Sequence, residues 1–167
     1  MVHSVKDYLN VVITFSISYA VALACSIGGP EYNGFPIILI CMLISFFMHW
    51  IAFIPSFFLK TEKYYDISGT LAYVCVIVTA LFLTKSESGG TLNVRSAVTI
   101  VLVLIWAIRL GVFLFFRVIK AGEDRRFREV KQKFAKFLVW WSMSALWVFL
   151  TTVNALVMII NNVAYYN

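Results

Sequence analysis

Arg109 and His49 are the two residues whose chemistry is most at odds with their surroundings. Arg109 sits in Trp106-Ala107-Ile108-Arg109-Leu110, inside a long apolar segment and eight residues before Arg117. In a helix that spacing is roughly 12 Å of depth. An arginine near the middle of a bilayer costs about 2.5–3.5 kcal/mol, so its side chain is expected to face the bundle or a wet cavity. The competing expectation is snorkelling toward the cytoplasmic headgroups on a long aliphatic stem. His49 precedes Trp50 in another apolar segment. A lone histidine there serves either as a hydrogen-bonding group between helices or as a contact to substrate.

A third concentration of chemistry is Thr61-Glu62-Lys63-Tyr64-Tyr65-Asp66-Ile67-Ser68-Gly69, which sets two acids and two phenols at the start of an apolar segment. One account is structural: Asp66 or Ser68 caps the helix that follows, and the tyrosines suit the headgroup belt. The other is a polar site at the membrane surface with a tyrosine as proton donor.

The elements that must position these residues are membrane spans. Apolar residues make up 62% of the 167 residues and charged residues 13%, and mean hydropathy is +0.89. Soluble domains run near 45–50% apolar and about 25% charged. Five segments have the length a helix needs to cross the hydrocarbon layer: residues 8–27, 35–59, 67–83, 97–116 and 137–160. Unpaired backbone groups are too costly in lipid for anything but helices or a closed barrel. No alternating pattern argues for a barrel. The expected fold is therefore an all-α integral membrane protein, with residues 1–167 forming a single transmembrane domain. The first segment resembles a signal peptide only weakly, because its leading region holds Lys6 alone and further spans follow; it is expected to be retained. Pro55 should kink the second span near its end.

Net charge is +6, and eight of the fourteen Lys/Arg lie between Arg117 and Lys136. Counted loop by loop, eleven fall on one side of the membrane and two on the other. That imbalance assigns the N-terminus and loop 117–136 to the cytoplasm and the C-terminus to the opposite side. Within the loop, Phe127, Val130, Phe134 and Phe137 recur at helical spacing, and Glu129 and Lys133 stand four apart. This pattern predicts a short amphipathic helix at the interface, after Gly122 has broken the preceding span. No nucleic-acid motif accompanies the basic residues, so nucleic acid is excluded as a partner. Cys25, Cys41 and Cys75 all fall in apolar segments without metal-ligand spacing; they are expected to be buried thiols, with no metal site.

Four ordered blocks carry a family resemblance. Thr61-Glu62-Lys63-Tyr64-Tyr65-Asp66 with Gly69 resembles the T-E-K-F-Y-D-x-x-G signature of poorly characterised membrane proteins related to the steroid 5-alpha-reductase C-terminal domain. Trp106-Ala107-Ile108-Arg109-Leu110-Gly111 is similar to their W-A-x-R-L-G, and Gly122-Glu123-Asp124-Arg125-Arg126-Phe127 to their G-K-D-x-R-F, with Glu123 in place of lysine. Trp147-Val148-Phe149-Leu150 resembles the following helix, with Ser144 and Asn154 where glutamine and proline are expected. The resemblance implies NADPH-dependent reduction of an activated double bond in a lipophilic substrate. It implies Tyr65, Glu62 and His49 as groups that polarise or protonate substrate, and Arg109, Asp124 and Arg126 as residues at the cofactor. Family members also carry an R-H-P-N-Y-x-G-E-like motif beyond the point matching Tyr165-Tyr166-Asn167. The chain is therefore expected to represent the N-terminal portion of that fold, incomplete as a catalyst by itself. The alternative expectation is a non-enzymatic assembly partner or homo-oligomer, with Ser142, Ser144, Ala145, Thr151 and Asn154 on the last span as an exposed packing face.

Overall fold

The computed structural model describes residues 2–88 and 92–164. Five helices dominate: α1 (Val2–Ser26), α2 (Ile37–Phe58), α3 (Tyr65–Ser88), α4 (Val94–Ala121) and α5 (Phe134–Ala164). Each is long and apolar enough to cross a membrane, and the protein is an all-α membrane bundle. α3, α4 and α5 extend past the limits expected from hydropathy at both ends, because polar residues such as Arg117 and Lys120 continue the backbone pairing outside the apolar stretch, whereas α2 is shorter than expected because Phe35 and Pro36 belong to a strand.

α5 is the central element and packs against each of the other four helices, while α3 lies between α2 and α4. Their shared core holds Cys41, Met42 and Phe46 of α2, Val76 and Ala80 of α3, and Phe149 and Leu156 of α5. Ser142 and Ala145, two of the small and polar residues of α5, serve this internal packing and not an outer face. Ser142 is buried and accepts a hydrogen bond from Trp50 Nε1 at 3.1 Å. Ala145 is buried, and its carbonyl accepts from the Ser45 hydroxyl at 2.9 Å. Thr151 bonds the Tyr73 hydroxyl at 2.6 Å. Of the expected packing face, Asn154 and Thr151 are the exposed members.

α4 meets α3 through a small-residue stripe. Ala107 and Gly111 are buried there, and a Cβ built on Gly111 would overlap Thr70 Oγ1 and come within 2.8 Å of Thr70 Cβ. The glycine is required by this close approach. On its other side α4 exposes Val98, Leu102, Ile105, Ile108, Val112 and Phe116.

Two local features differ from expectation. Between α1 and α2, β1 (Glu31–Tyr32) and β2 (Phe35–Pro36) form a minimal antiparallel hairpin. Its turn residues Asn33 and Gly34 have φ of 50° and 79°, the left-handed pair that an Asn-Gly turn favours. The basic loop contains no α-helix: Gly122, at φ 80°, ends α4, and two 3-10 turns follow at Arg125–Phe127 and Val130–Gln132. Its amphipathic character holds in part: Phe127, Val130 and Phe137 are buried, but Phe134 is exposed, and Lys131 turns inward to Glu62 while the other cations are exposed. With eleven residues separating Phe134 from Gly122, the loop must turn back at once to feed α5, and tight turns do this where a straight helix would overshoot. Among the described residues Glu129 and Lys133 form no ion pair.

Candidate functional site

The segment 61–69 and the basic loop fold onto each other at one end of the bundle. Glu62, 4% exposed, accepts the Asp124 backbone N–H at 2.9 Å through one oxygen and the Lys131 ammonium at 2.8 Å through the other. Asp124 in turn accepts the Arg126 backbone N–H and its guanidinium Nε, both at 3.0 Å. Arg117, on the last turns of α4, lies 3.6 Å from Asp124 and 4.0 Å from Asp66. The Arg126 guanidinium holds the Asp124 carboxyl below its ordinary range, and the carboxylate raises Arg126 in return. Arg128 lowers the exposed Glu123 carboxyl in the same way, through a direct hydrogen bond. Neither Asp66 nor Ser68 caps α3: Asp66 lies inside its first turn, and the Ser68 hydroxyl donates back to the Tyr64 carbonyl.

Tyr65 stands where this polar layer meets the membrane core. Its ring packs against Phe127 and Trp141 with centroids at 4.8 and 5.2 Å, and its hydroxyl donates to the Trp140 carbonyl at 2.9 Å. From there a groove of about 390 Å³ runs between α3, α4 and α5, along Gly69, Tyr73, Leu110, Leu114, Met143 and Trp147. That volume falls within the usual span of small-molecule sites. Two further cavities flank its polar end. One of about 310 Å³ is lined by Arg117, Asp124, Arg125 and Arg126; the other, of about 430 Å³, by Arg125, Arg126, Arg128 and Lys136, with Glu129, Val130 and Trp140. Arg126 lines all three cavities.

His49 lies one layer behind the groove. It is fully buried. Its Nδ1 is 2.7 Å from the Ser45 carbonyl, which makes Nδ1–H the donor and leaves Nε2 as an acceptor. Nε2 has no hydrogen-bond partner. A Cβ placed on Gly69 would be 4.0 Å from both His49 Nε2 and Ser144 Oγ, so bare glycine backbone separates the imidazole from the groove.

Arg109 does not face the bundle. It is exposed, and no ion pair of it is found among the described residues. The reason is rotational. Arg109 is two residues from both Ala107 and Gly111, about 200° around the helix from the stripe that α4 buries. The structure thus brings Tyr65, Glu62, Asp124 and Arg126 together, sets His49 behind them, and turns Arg109 away.

Several members of the site escaped the sequence. Lys131 and Arg117 were visible only as loop charges; Lys131 pairs with Glu62, 69 residues away, and Arg117 reaches Asp66, 51 residues away, as well as Asp124 nearby. Trp140 and Trp141 gave no signal beyond an aromatic-rich span. Among the described residues no group of three or more His, Cys, Asp or Glu is placed to hold a metal ion. The three cysteines are free, with Cys41 buried and Cys25 and Cys75 partly so.

No curated protein and no solved structure matches the chain. A family model does: that of "Protein of unknown function (DUF1295)" matches residues 52–165. The match takes in the end of α2, all of α3 and α4, the basic loop and α5 as described. Since it covers more than half of the sequence, the chain belongs to this family.

Proposed function

We propose that the protein is a membrane reductase that admits a lipophilic substrate, with a double bond conjugated to a carbonyl, into the groove beside Tyr65. The observation that carries this is the groove itself, an apolar cavity between membrane helices with a phenol at its polar end. The resemblance of four sequence blocks to relatives of the steroid 5-alpha-reductase C-terminal domain supports the same chemistry. NADPH is the proposed cofactor, and when bound it supplies the hydride.

The donor set suits such a cofactor. Arg117 and Arg126 at one cavity offer guanidinium groups for phosphates. Asp124 keeps Arg126 and Arg117 in position through its ion pairs. Arg126 also lines the groove, so an anion held there is next to the substrate space.

Tyr65 has the central role on this reading. Its hydroxyl, now turned to the Trp140 carbonyl, turns to the substrate carbonyl oxygen and gives up its proton as negative charge develops there. Glu62 is a positioning residue, since both its oxygens are engaged in holding the loop over the groove. His49 keeps the α2 side of the site fixed through its bond to Ser45. On this reading the basic loop and the N-terminus lie in the cytoplasm and the C-terminus opposite, an orientation the charge imbalance supports; the cation-lined cavities then face soluble nucleotide. The test is NADPH oxidation by the detergent-purified protein with lipophilic enones. Tyr65→Phe is expected to lower the rate by about 10²–10⁴, and an unchanged rate would remove Tyr65 from the reaction.

A second reading is a non-enzymatic component that supplies part of a larger bundle. Its support is the outward face of α4, apolar and interrupted by Arg109 at mid-helix. A stoichiometric complex with another membrane protein, together with no NADPH oxidation, would favour it.

A further inference from the structure

We infer that the substrate class is an amphiphile with a phosphoryl headgroup, bound with its head in the cavity between the basic loop and the start of α5 and its chain in the α3–α4–α5 groove. The inference rests on the groove being the substrate site and adds what its polar end selects.

The head cavity is cationic by composition. Arg125, Arg126, Arg128 and Lys136 line it, against the single carboxylate of Glu129. Two of these cations are already committed: Arg126 is bound to Asp124 and Arg128 to Glu123. Arg125 and Lys136 form no ion pair among the described residues. Arg125 comes from a 3-10 turn and Lys136 from the first turn of α5. Two uncommitted cations lining one space are suited to a phosphoryl group, which offers several acceptor oxygens at once.

The cavity adjoins an apolar space. Arg126 and Trp140 line both it and the groove, so the polar and apolar compartments share a wall. Along α5 the groove runs from Trp140 to Val148, about 12 Å by the helical rise. Met143 and Trp147, which line it, are 54% and 64% exposed on the outer surface of the bundle. The groove is therefore open sideways, toward lipid, and a chain can enter it from the bilayer without crossing water. A free nucleotide or phosphate would use the cationic compartment and leave the apolar one unfilled. An amphiphile fills both, with its charge at the depth where Trp140 marks the boundary.

The experiment uses the whole protein in a non-ionic detergent and follows thermal stability and native mass spectra, with no cofactor and no turnover. The probes are oleoyl lysophosphatidic acid, monoolein, inorganic phosphate and NADPH. One lysophosphatidate per chain should bind and raise the melting temperature, with monoolein and phosphate alone at least tenfold weaker. The double variant Arg125→Ala/Lys136→Ala should lose at least tenfold in lysophosphatidate affinity, and Lys133→Ala, an exposed cation outside the cavity, should lose none. Both positions are exposed, so the double variant should melt as the wild type does without ligand. Equal binding of monoolein, full reproduction of the effect by inorganic phosphate without a chain, or an equal loss in Lys133→Ala would each overturn the inference. Lysophosphatidate binding without any NADPH effect would uphold it while removing the reductase reading.

Discussion

At the residue scale, Glu62 joins two stretches that are far apart in sequence. Its carboxylate is nearly out of solvent and compensated by one backbone N–H and one ammonium. Removing one partner of such a buried pair is costly because the other charge is left without compensation. Glu62→Ala is expected to destabilise the protein by about 3 kcal/mol, seen as a lower melting temperature and as faster proteolysis of the basic loop. Lys131→Met should cost at least as much, since it leaves the more deeply buried Glu62 carboxylate with only the Asp124 N–H. The acid limb follows from Asp124. Its carboxyl is held below the ordinary range by Arg126, so its contribution is complete above the ordinary carboxylate pKa and is lost as pH falls through the depressed value. Stability should be flat from about pH 7 to 5 and decline below about 4, and Asp124→Asn should remove part of that decline. These acids and Tyr65 were legible in the sequence, because charge and phenol at the start of an apolar span have few other uses. Their partners were not, because pairing across 62 or 69 residues is decided by how the helices pack.

At the element scale, the close approach of α3 and α4 depends on Gly111. An added methyl would meet Thr70 side-chain atoms directly, and overpacking of this kind costs about 1–3 kcal/mol. Gly111→Ala should lower stability by that amount, and Thr70→Ala in the same chain should recover part of the loss, a coupling measurable as a double-mutant cycle. Gly111→Leu should prevent accumulation of folded protein. The Ala107/Gly111 spacing also holds the information that misdirected Arg109: a residue midway between two small, buried positions lies on the opposite face. Intramembrane charge alone argued for an inward arginine, and the stripe of small residues outweighed it. The hairpin between α1 and α2 was encoded by Asn33-Gly34. The loop's apolar spacing marked Phe127, Val130 and Phe137 as inward, and Phe134, marked with them, is exposed. That spacing could not distinguish a helix from two 3-10 turns, since both place residues three apart on one face.

At the scale of the whole molecule, the five spans were readable from hydropathy alone, because lipid leaves a chain of this composition no other way to satisfy its backbone. The groove was not readable, because it is formed by the angles at which α3, α4 and α5 meet. On the topology proposed, a cysteine placed at Gln132 should be labelled by a membrane-impermeant maleimide only after the cytoplasmic side is opened, and labelling of intact cells would reverse that orientation. The central claim is that a reduced nicotinamide nucleotide binds beside the groove, on the guanidinium groups around Asp124. The most direct measurement is the melting temperature of the detergent-purified protein with and without NADPH, alongside Arg126→Ala. A ligand that binds only the folded form raises it by mass action, about 2.7 kcal/mol at a hundredfold excess over Kd. The account predicts a rise with NADPH that is greatly reduced in Arg126→Ala. A folded sample whose melting temperature is indifferent to NADPH would contradict it.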